Sequence, residues 1–282
     1  LFAQTGPGGV GNASGTPGQP QNVIWFDASS LSLSDTEPVA TWTDLSGNGN
    51  DADQTDTDAQ PTFLTGQING LPAVQFDGTD DFMPFDGSLI TNTDYTVIFV
   101  GKRRTDDAQR VFLGGTTSSA NQNLHLYWEN SNQFRAHHYG NDLQTDMVDP
   151  ATVPDYSSGT ETGEFGIFST LLASSDASDQ RRNYQNNHFL GSRSDDTQLS
   201  SYSGAAIGRY NSGFHDVDAA EIIIYSNALN DAQLQIVHQY LNIKYGIVTD
   251  NDLFSPDGTY ITDFAGIGKA SSSDEHTHAE SD

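Results

Sequence analysis

The stretch from Tyr127-Trp128-Glu129 to His137-His138-Tyr139-Gly140-Asn141-Asp142 concentrates aromatic rings and hydrogen-bonding side chains on what read as two neighbouring strands. That mixture suits a sugar. Aromatic faces stack on the C–H surface of pyranose rings, while Asn, Asp, His and Arg satisfy hydroxyls that burial would otherwise leave unpaired. Trp128, His138, Tyr139, Asn141 and Asp142 are candidate ligand-binding residues. Arg209 and Tyr210 join them from a later segment of the same flavour that runs on through Asn211, Phe214 and His215. Strand alternation limits the set: Tyr127 and Trp128 point to opposite faces, so at least one of them belongs to the core. The same rule separates His137 from His138, which cannot both ligate one zinc ion. His276 and His278 are better spaced for a metal but sit in an acidic tail.

Other clusters invite other chemistry. Asp44-Leu45-Ser46-Gly47-Asn48-Gly49-Asn50-Asp51 alternates oxygen-bearing residues with glycines, as a calcium loop does. It lacks the closing bidentate Glu and the flanking helices of an EF-hand, and reads instead as a turn in which Asp44 and Ser46 bind backbone amides. Asp77, Asp80 and Asp81 crowd three carboxylates around Gly78, so a cation or a set of backbone amides must offset their repulsion. There is no Gly-x-Ser-x-Gly nucleophile elbow and no phosphate-binding loop.

The elements that must position these residues are short strands. From Val23 to about Tyr225, runs such as TVIFVGK, RVFLGG, LHLYW, FGIFSTLLA and AEIIIY are separated by clusters of Gly, Asn, Asp and Ser, the pattern of an antiparallel sandwich. Helical spacing enters only at the end, where Leu234, Val237 and Leu241 recur before Gly246. The expected fold class is therefore all-β, two antiparallel sheets with one C-terminal helix. No repeat of fixed period suggests a propeller or solenoid.

Composition narrows the partners. The 282 residues carry 11 Lys plus Arg against 38 Asp plus Glu, a formal net charge of −27, which repels nucleic acid phosphates and anionic lipid headgroups. Only seven of the acids are Glu, so short Asp side chains dominate the loops. There is no Cys, hence no disulfide and no thiolate metal site. No apolar run approaches the roughly 20 residues that cross a bilayer. Leu1-Phe2-Ala3-Gln4 looks like the end of a signal peptide, which implies a secreted or outer-surface location. The expected organisation is residues 1–4 as that remnant, 5–21 as a Gly/Pro-rich leader and 22–247 as the sandwich. Residues 248–282 then begin a following module or form an acidic tail.

Five segments in order, VIWFDASSL from Val23, WTDLSGNGNDA from Trp42, LPAVQFDGTDDF from Leu71, the stretch from Leu124 to Thr145, and EIIIYSNALND leading to YLNIKYGI, resemble a laminin-G-like, concanavalin A-like lectin domain of secreted Bacteroidetes surface proteins. The resemblance covers about residues 20–247 and implies a jelly-roll sandwich. It further implies a non-catalytic module that binds a glycan or extracellular polysaccharide or adheres to surface proteins, with a structural spacer as the alternative. Many such domains hold one structural calcium ion, and the matching acids here would be Asp27 early and Asp216 or Asp218 late. Glycoside hydrolases of laminarinase or agarase type share the fold, but retaining hydrolysis needs two carboxylates about 5 Å apart, supplied by a Glu-x-Asp-x-x-Glu strand. Glu161-Thr162-Gly163-Glu164 lacks the central Asp. A polysaccharide lyase of this fold would instead need Tyr and His with an Arg or Gln on facing strands.

Overall fold

The computed structural model describes residues 6–16, 18–105, 109–130, 132–148 and 163–248, together with the backbone of 268–271 and 274–276. Two antiparallel sheets face each other. The larger has eight strands: β1 (Asn22–Asp27), β4 (Thr62–Ile68), β5 (Leu71–Asp77), β7 (Tyr95–Arg103), β12 (Gly166–Leu172), β13 (Arg181–Gln185), β14 (His188–Arg193) and β18 (Asp216–Tyr225). Their order is β14-β13-β12-β7-β18-β5-β4, and β1 continues the edge of β18 beyond β5. The smaller sheet has six strands in the order β11-β10-β9-β8-β15-β6: β6 (Met83–Pro84), β8 (Gln109–Gly114), β9 (His125–Glu129), β10 (Gln133–His137), β11 (Leu143–Asp146) and β15 (Ala206–Ile207). Short ribbons pair β2 (Thr41–Trp42) with β3 (Ala52–Asp53), β16 (Arg209–Tyr210) with β17 (Gly213–Phe214), and β19 (Gly268–Ser271) with β20 (Asp274–His276). This is the concanavalin A-like jelly-roll sandwich with its single described α-helix, α1 (Asp231–Tyr245).

Why β18 reads as an uninterrupted apolar run is visible in its surroundings. Val217, Ala219, Ile222 and Ile224 face the space between the sheets, whereas Ala220, Ile223 and Tyr225 face α1. A bulge between Ala219 and Glu221 shifts the register once. A strand covered on both sides has no solvent face to keep polar. The helix itself starts on a capping box, Asn230 accepting from the Gln233 amide at 2.9 Å and Gln233 reaching back at 3.1 Å, and stops at Gly246, whose φ of 64° is the left-handed turn a glycine adopts without strain. Leu234, Val237 and Leu241 lie on its buried side, as their spacing predicts.

The sequence before β1 is not a detached leader in its described part. Val10 is buried with α1 and Tyr225, and the Tyr225 hydroxyl donates to the Val10 carbonyl at 3.0 Å. Residues 1–5, 149–162 and most of 249–282 lie outside the described residues, and with them the signal-peptide remnant, Glu161 and the pair His276-His278 as metal ligands.

The loop at Asp44 takes its structural role. Asp44 accepts hydrogen bonds from the amides of Trp25, Ser46 and Asn50, while Asn48 and Asn50 donate to the carbonyls of Asn22 and Val23. Through these bonds it fastens β1 from the side.

Candidate functional site

On β9 and β10 the alternation is strict, and it sorts the aromatic segment into two populations. Leu126, Trp128, Phe134 and Ala136 turn into the inter-sheet core. The register Arg135↔Tyr127 and His137↔His125 places the other row, His125, Tyr127, Glu129, Gln133, Arg135 and His137, on the outer face of the six-stranded sheet. Trp128 is thereby corrected as a ligand residue. It is 1 % exposed, and its ring meets Phe99, Phe112 and Phe168 edge-on at 5.8, 5.8 and 5.2 Å, around a Phe99–Phe112 stack at 3.9 Å. His138 is corrected for the same reason. Its ring points inward, fully buried, with Nε2 2.6 Å from the Tyr95 hydroxyl.

What remains forms an outer aromatic face on which Tyr139, Tyr210 and His137 are half-buried, while His125 and Tyr127 are covered, 3 % and 4 % exposed. His125 is packed edge-on between Tyr139 at 4.7 Å and Tyr210 at 4.0 Å, and the two tyrosines stand 6.2 Å apart. Tyr210 arrives on the β16–β17 ribbon, which lies so close to the sheet that a β-carbon at Gly114 would collide with the Arg209 carbonyl and meet the Tyr210 side chain. Tyr139 sits at φ 55°, a left-handed conformation that costs a bulky residue energy and persists only where its surroundings hold it. Beside them the Tyr127 hydroxyl lies 3.0 Å from His137 Nδ1, Glu129 is ion-paired to Arg135, and Arg135 donates to Gln133 at 2.7 Å. Asp142 accepts from the His138 amide at 3.0 Å and stands 3.8 Å from His137, while Asn141 donates to Asn121 at 2.9 Å. Of the expected set, Tyr139, Asn141, Asp142 and Tyr210 thus border one surface. Arg209 does not reach it through its guanidinium, which lies over the Phe82 ring at 3.7 Å.

The residues the sequence reading passed over are His125, Tyr127, Arg135 and His137. Their signal was the alternation itself: with Trp128 assigned to the core, its neighbours at odd positions must face out. Desolvation keeps the rings of this face uncharged. Burial pushes His125 down to about 3, helped by the nearby His137 and His215, and lifts the Tyr127 phenol to about 12. Burial also lowers His137. At neutral pH the surface therefore offers uncharged imidazoles and phenols plus one internally satisfied ion pair.

The acids matched to calcium do not assemble. Asp27 pairs across from Glu221 and holds the Lys244 ammonium at 2.6 Å, whereas Asp218 lies opposite Gln75 and Lys102 and holds the Lys102 ammonium at 3.0 Å. Asp216 is ion-paired to Arg110. Protein cations already occupy these carboxylates, so the set Asp27, Asp216, Asp218 does not fit one ion. The carboxylates of Asp77, Asp80 and Asp81 do converge within 4.8 Å, but amides answer them: Thr79 donates to Asp77 at 2.7 Å and the Asp77 amide to Asp81 at 3.0 Å. Burial, with repulsion from Asp77 and Asp80, raises Asp81 to about 6.

No protein-family model matches the chain, and no curated protein matches it in sequence. Solved structures match its fold. The binding domain of Paraclostridial Mosquitocidal Protein 1 superposes with a TM-score of 0.54 at 12 % identity, covering 78 % of this chain and 51 % of that one. Domain 4 of AbnA, a GH43 extracellular arabinanase from Geobacillus stearothermophilus solved with arabinotriose, gives 0.50 at 13 % identity, covering 77 % of this chain and 97 % of that domain. Trypanosoma rangeli sialidase with 2,3-difluorosialic acid gives 0.50 at 13 % identity over 85 % of this chain, which spans 35 % of the sialidase. Identities this low establish a shared β-sandwich and nothing about a shared ligand.

Proposed function

We propose that this chain is a non-catalytic carbohydrate-binding or adhesion module of the laminin-G-like kind, carried by a secreted or cell-surface bacterial protein. The observation that carries this reading is the outer face on which the half-buried Tyr139 and Tyr210 flank the buried His125, bordered by Asn141 and Asp142. Uncharged rings beside amide and carboxylate acceptors match the two sides of a sugar, its C–H face and its hydroxyls. The arabinanase domain solved with arabinotriose supports the reading as a sandwich of the same kind that takes an oligosaccharide. A glycan and polysaccharide array on the full chain tests it. Binding that falls roughly tenfold in Tyr139→Ala and Tyr210→Ala supports the site. Silence across the array transfers the weight to a structural spacer.

One arrangement favours a second reading. Tyr127, His137 and Arg135 bring together the phenol, imidazole and guanidinium that a polysaccharide lyase needs on facing strands. Against it, Arg135 is already paired to Glu129, which leaves its charge answered before any uronate arrives. Growth of ultraviolet absorbance from unsaturated products on uronate polysaccharides, abolished in Tyr127→Phe, would establish the lyase. A flat trace keeps the module non-catalytic.

A further inference from the structure

A cleft of about 850 Å³ opens on the opposite side of the molecule, between the β12–β13 loop, the β13–β14 hairpin and the first turns of α1. Its floor is aromatic. Tyr184, packed on the helix side of the large sheet, carries Phe189 against it at 5.5 Å, and Phe189 is 49 % exposed. Among the described residues only Phe189 and Val248 are large apolar side chains left open to solvent. The hairpin that carries Phe189 turns tightly through Asn186 and Asn187 at φ 47° and 64°, which sets Phe189 opposite Tyr184.

The wall is polar and pre-set. Arg182 donates from Nε to the Asp179 carbonyl at 2.9 Å, is ion-paired to Asp176, and lies 3.6 Å from Asp231 at the start of α1, so one guanidinium ties loop, strand and helix together. The Asp179 carboxylate accepts from Ser178 at 3.0 Å and from Ser192, and those hydrogen bonds keep it ionised by lowering its affinity for protons. A flat exposed ring beside fixed carboxylates is the complement of a ring-shaped ligand with a C–H face and hydroxyl donors. Three Asp against one Arg also set the sign: uronates and sulfated sugars are repelled.

We propose that this cleft is a second glycan site, for the chain of a neutral saccharide, with a sugar face stacked on Phe189 and hydroxyls donating to Asp176 and Asp179. It shares no residue with the surface on the six-stranded sheet, and two sites on opposite faces make the module bivalent. A bivalent module cross-links polysaccharide strands, which neither site does alone.

The test uses the full chain, titrated with arabinotriose, maltohexaose and xylohexaose, and with a trigalacturonate as the anionic control. Backbone amide NMR shifts report the site and calorimetry the affinity. The expected result is shifts in the β13–β14 hairpin and the first turn of α1 with at least one neutral oligosaccharide and none with the uronate. Phe189→Ala should weaken that binding roughly tenfold or more with an unchanged melting temperature, and Tyr139→Ala should leave it intact. Absence of shifts in the hairpin with every neutral oligosaccharide overturns the proposal, as does unchanged affinity in Phe189→Ala. Binding lost in Tyr139→Ala and retained in Phe189→Ala would overturn this site while keeping the other, and the reverse pattern would overturn the other and keep this one.

Discussion

Trp128 and Tyr127 are adjacent, similar in size and opposite in role, and the difference is one step of a strand. Trp128 fills the centre of the aromatic cluster, so Trp128→Ala should cost about 3–5 kcal/mol of stability by denaturant melts, whereas Tyr139→Ala should cost little stability and act on glycan binding. A result in which Trp128→Ala stays fully stable would contradict the packing described here. Buried histidines give a second residue-scale expectation. His238 lies on the buried face of α1 with Nε2 3.1 Å from the Ser169 hydroxyl, and burial lowers it to about 3. The unfolded imidazole takes its proton near pH 6.5, so between that pH and about 3 the unfolded state binds more protons and stability falls as pH drops. Each such group contributes up to about 1.4 kcal/mol per pH unit in that window. His238→Gln should therefore flatten the fall in stability between pH 6 and 4, whatever its cost at pH 7.

At the scale of elements, the link between α1 and the large sheet is a buried charge cluster. Lys244, from the last turn of the helix, holds Asp27 on β1 at 2.6 Å and Glu221 on β18 at 2.7 Å, and Glu221 also accepts from Trp25, Tyr240 and Tyr245. Burial raises Glu221, with Lys244 pulling it back down, while the two carboxylates raise Lys244 against the opposing effect of burial. Lys244→Met removes the partner and leaves Glu221 as an unanswered buried acid, at a cost of about 3–5 kcal/mol at pH 7. Because the native state of that variant holds the Glu221 proton more tightly than the unfolded chain does, its deficit should shrink as pH falls and grow as pH rises. Adding Glu221→Gln should recover most of the loss; a double variant as unstable as the single one would show that the ammonium acts through packing alone.

For the whole molecule, the described part of the segment before β1 behaves as part of the sandwich. Gly8 lies against α1, where a β-carbon would stand 3.0 Å from Tyr240, and Val10 covers Tyr225. Removal of residues 1–21 should lower stability by at least about 2 kcal/mol, the worth of one buried Val and the contacts around it, and a truncated chain with unchanged melting would return that segment to a mere leader. Both closing elements, β18 and α1, are legible in the sequence because local periodicity dictates which residues need cover. Leu234, Val237 and Leu241 mark a helix face before any partner is known, and the Asp44 loop declares its turn through Asx chemistry. Trp128 and His138 were misassigned because composition marks a segment as aromatic and polar without saying which parity faces the core; the sheet opposite decides that. Lys244 meets Asp27 across 217 positions of chain, and Phe189 becomes an exposed floor only once α1 is docked beside the hairpin. The amino-acid order by itself determined the strands, the helix and their amphipathic demands, since these arise between neighbours a few residues apart. Which face became a surface and which charges met were decided by register and long-range pairing, interactions that exist only when the sheets are stacked.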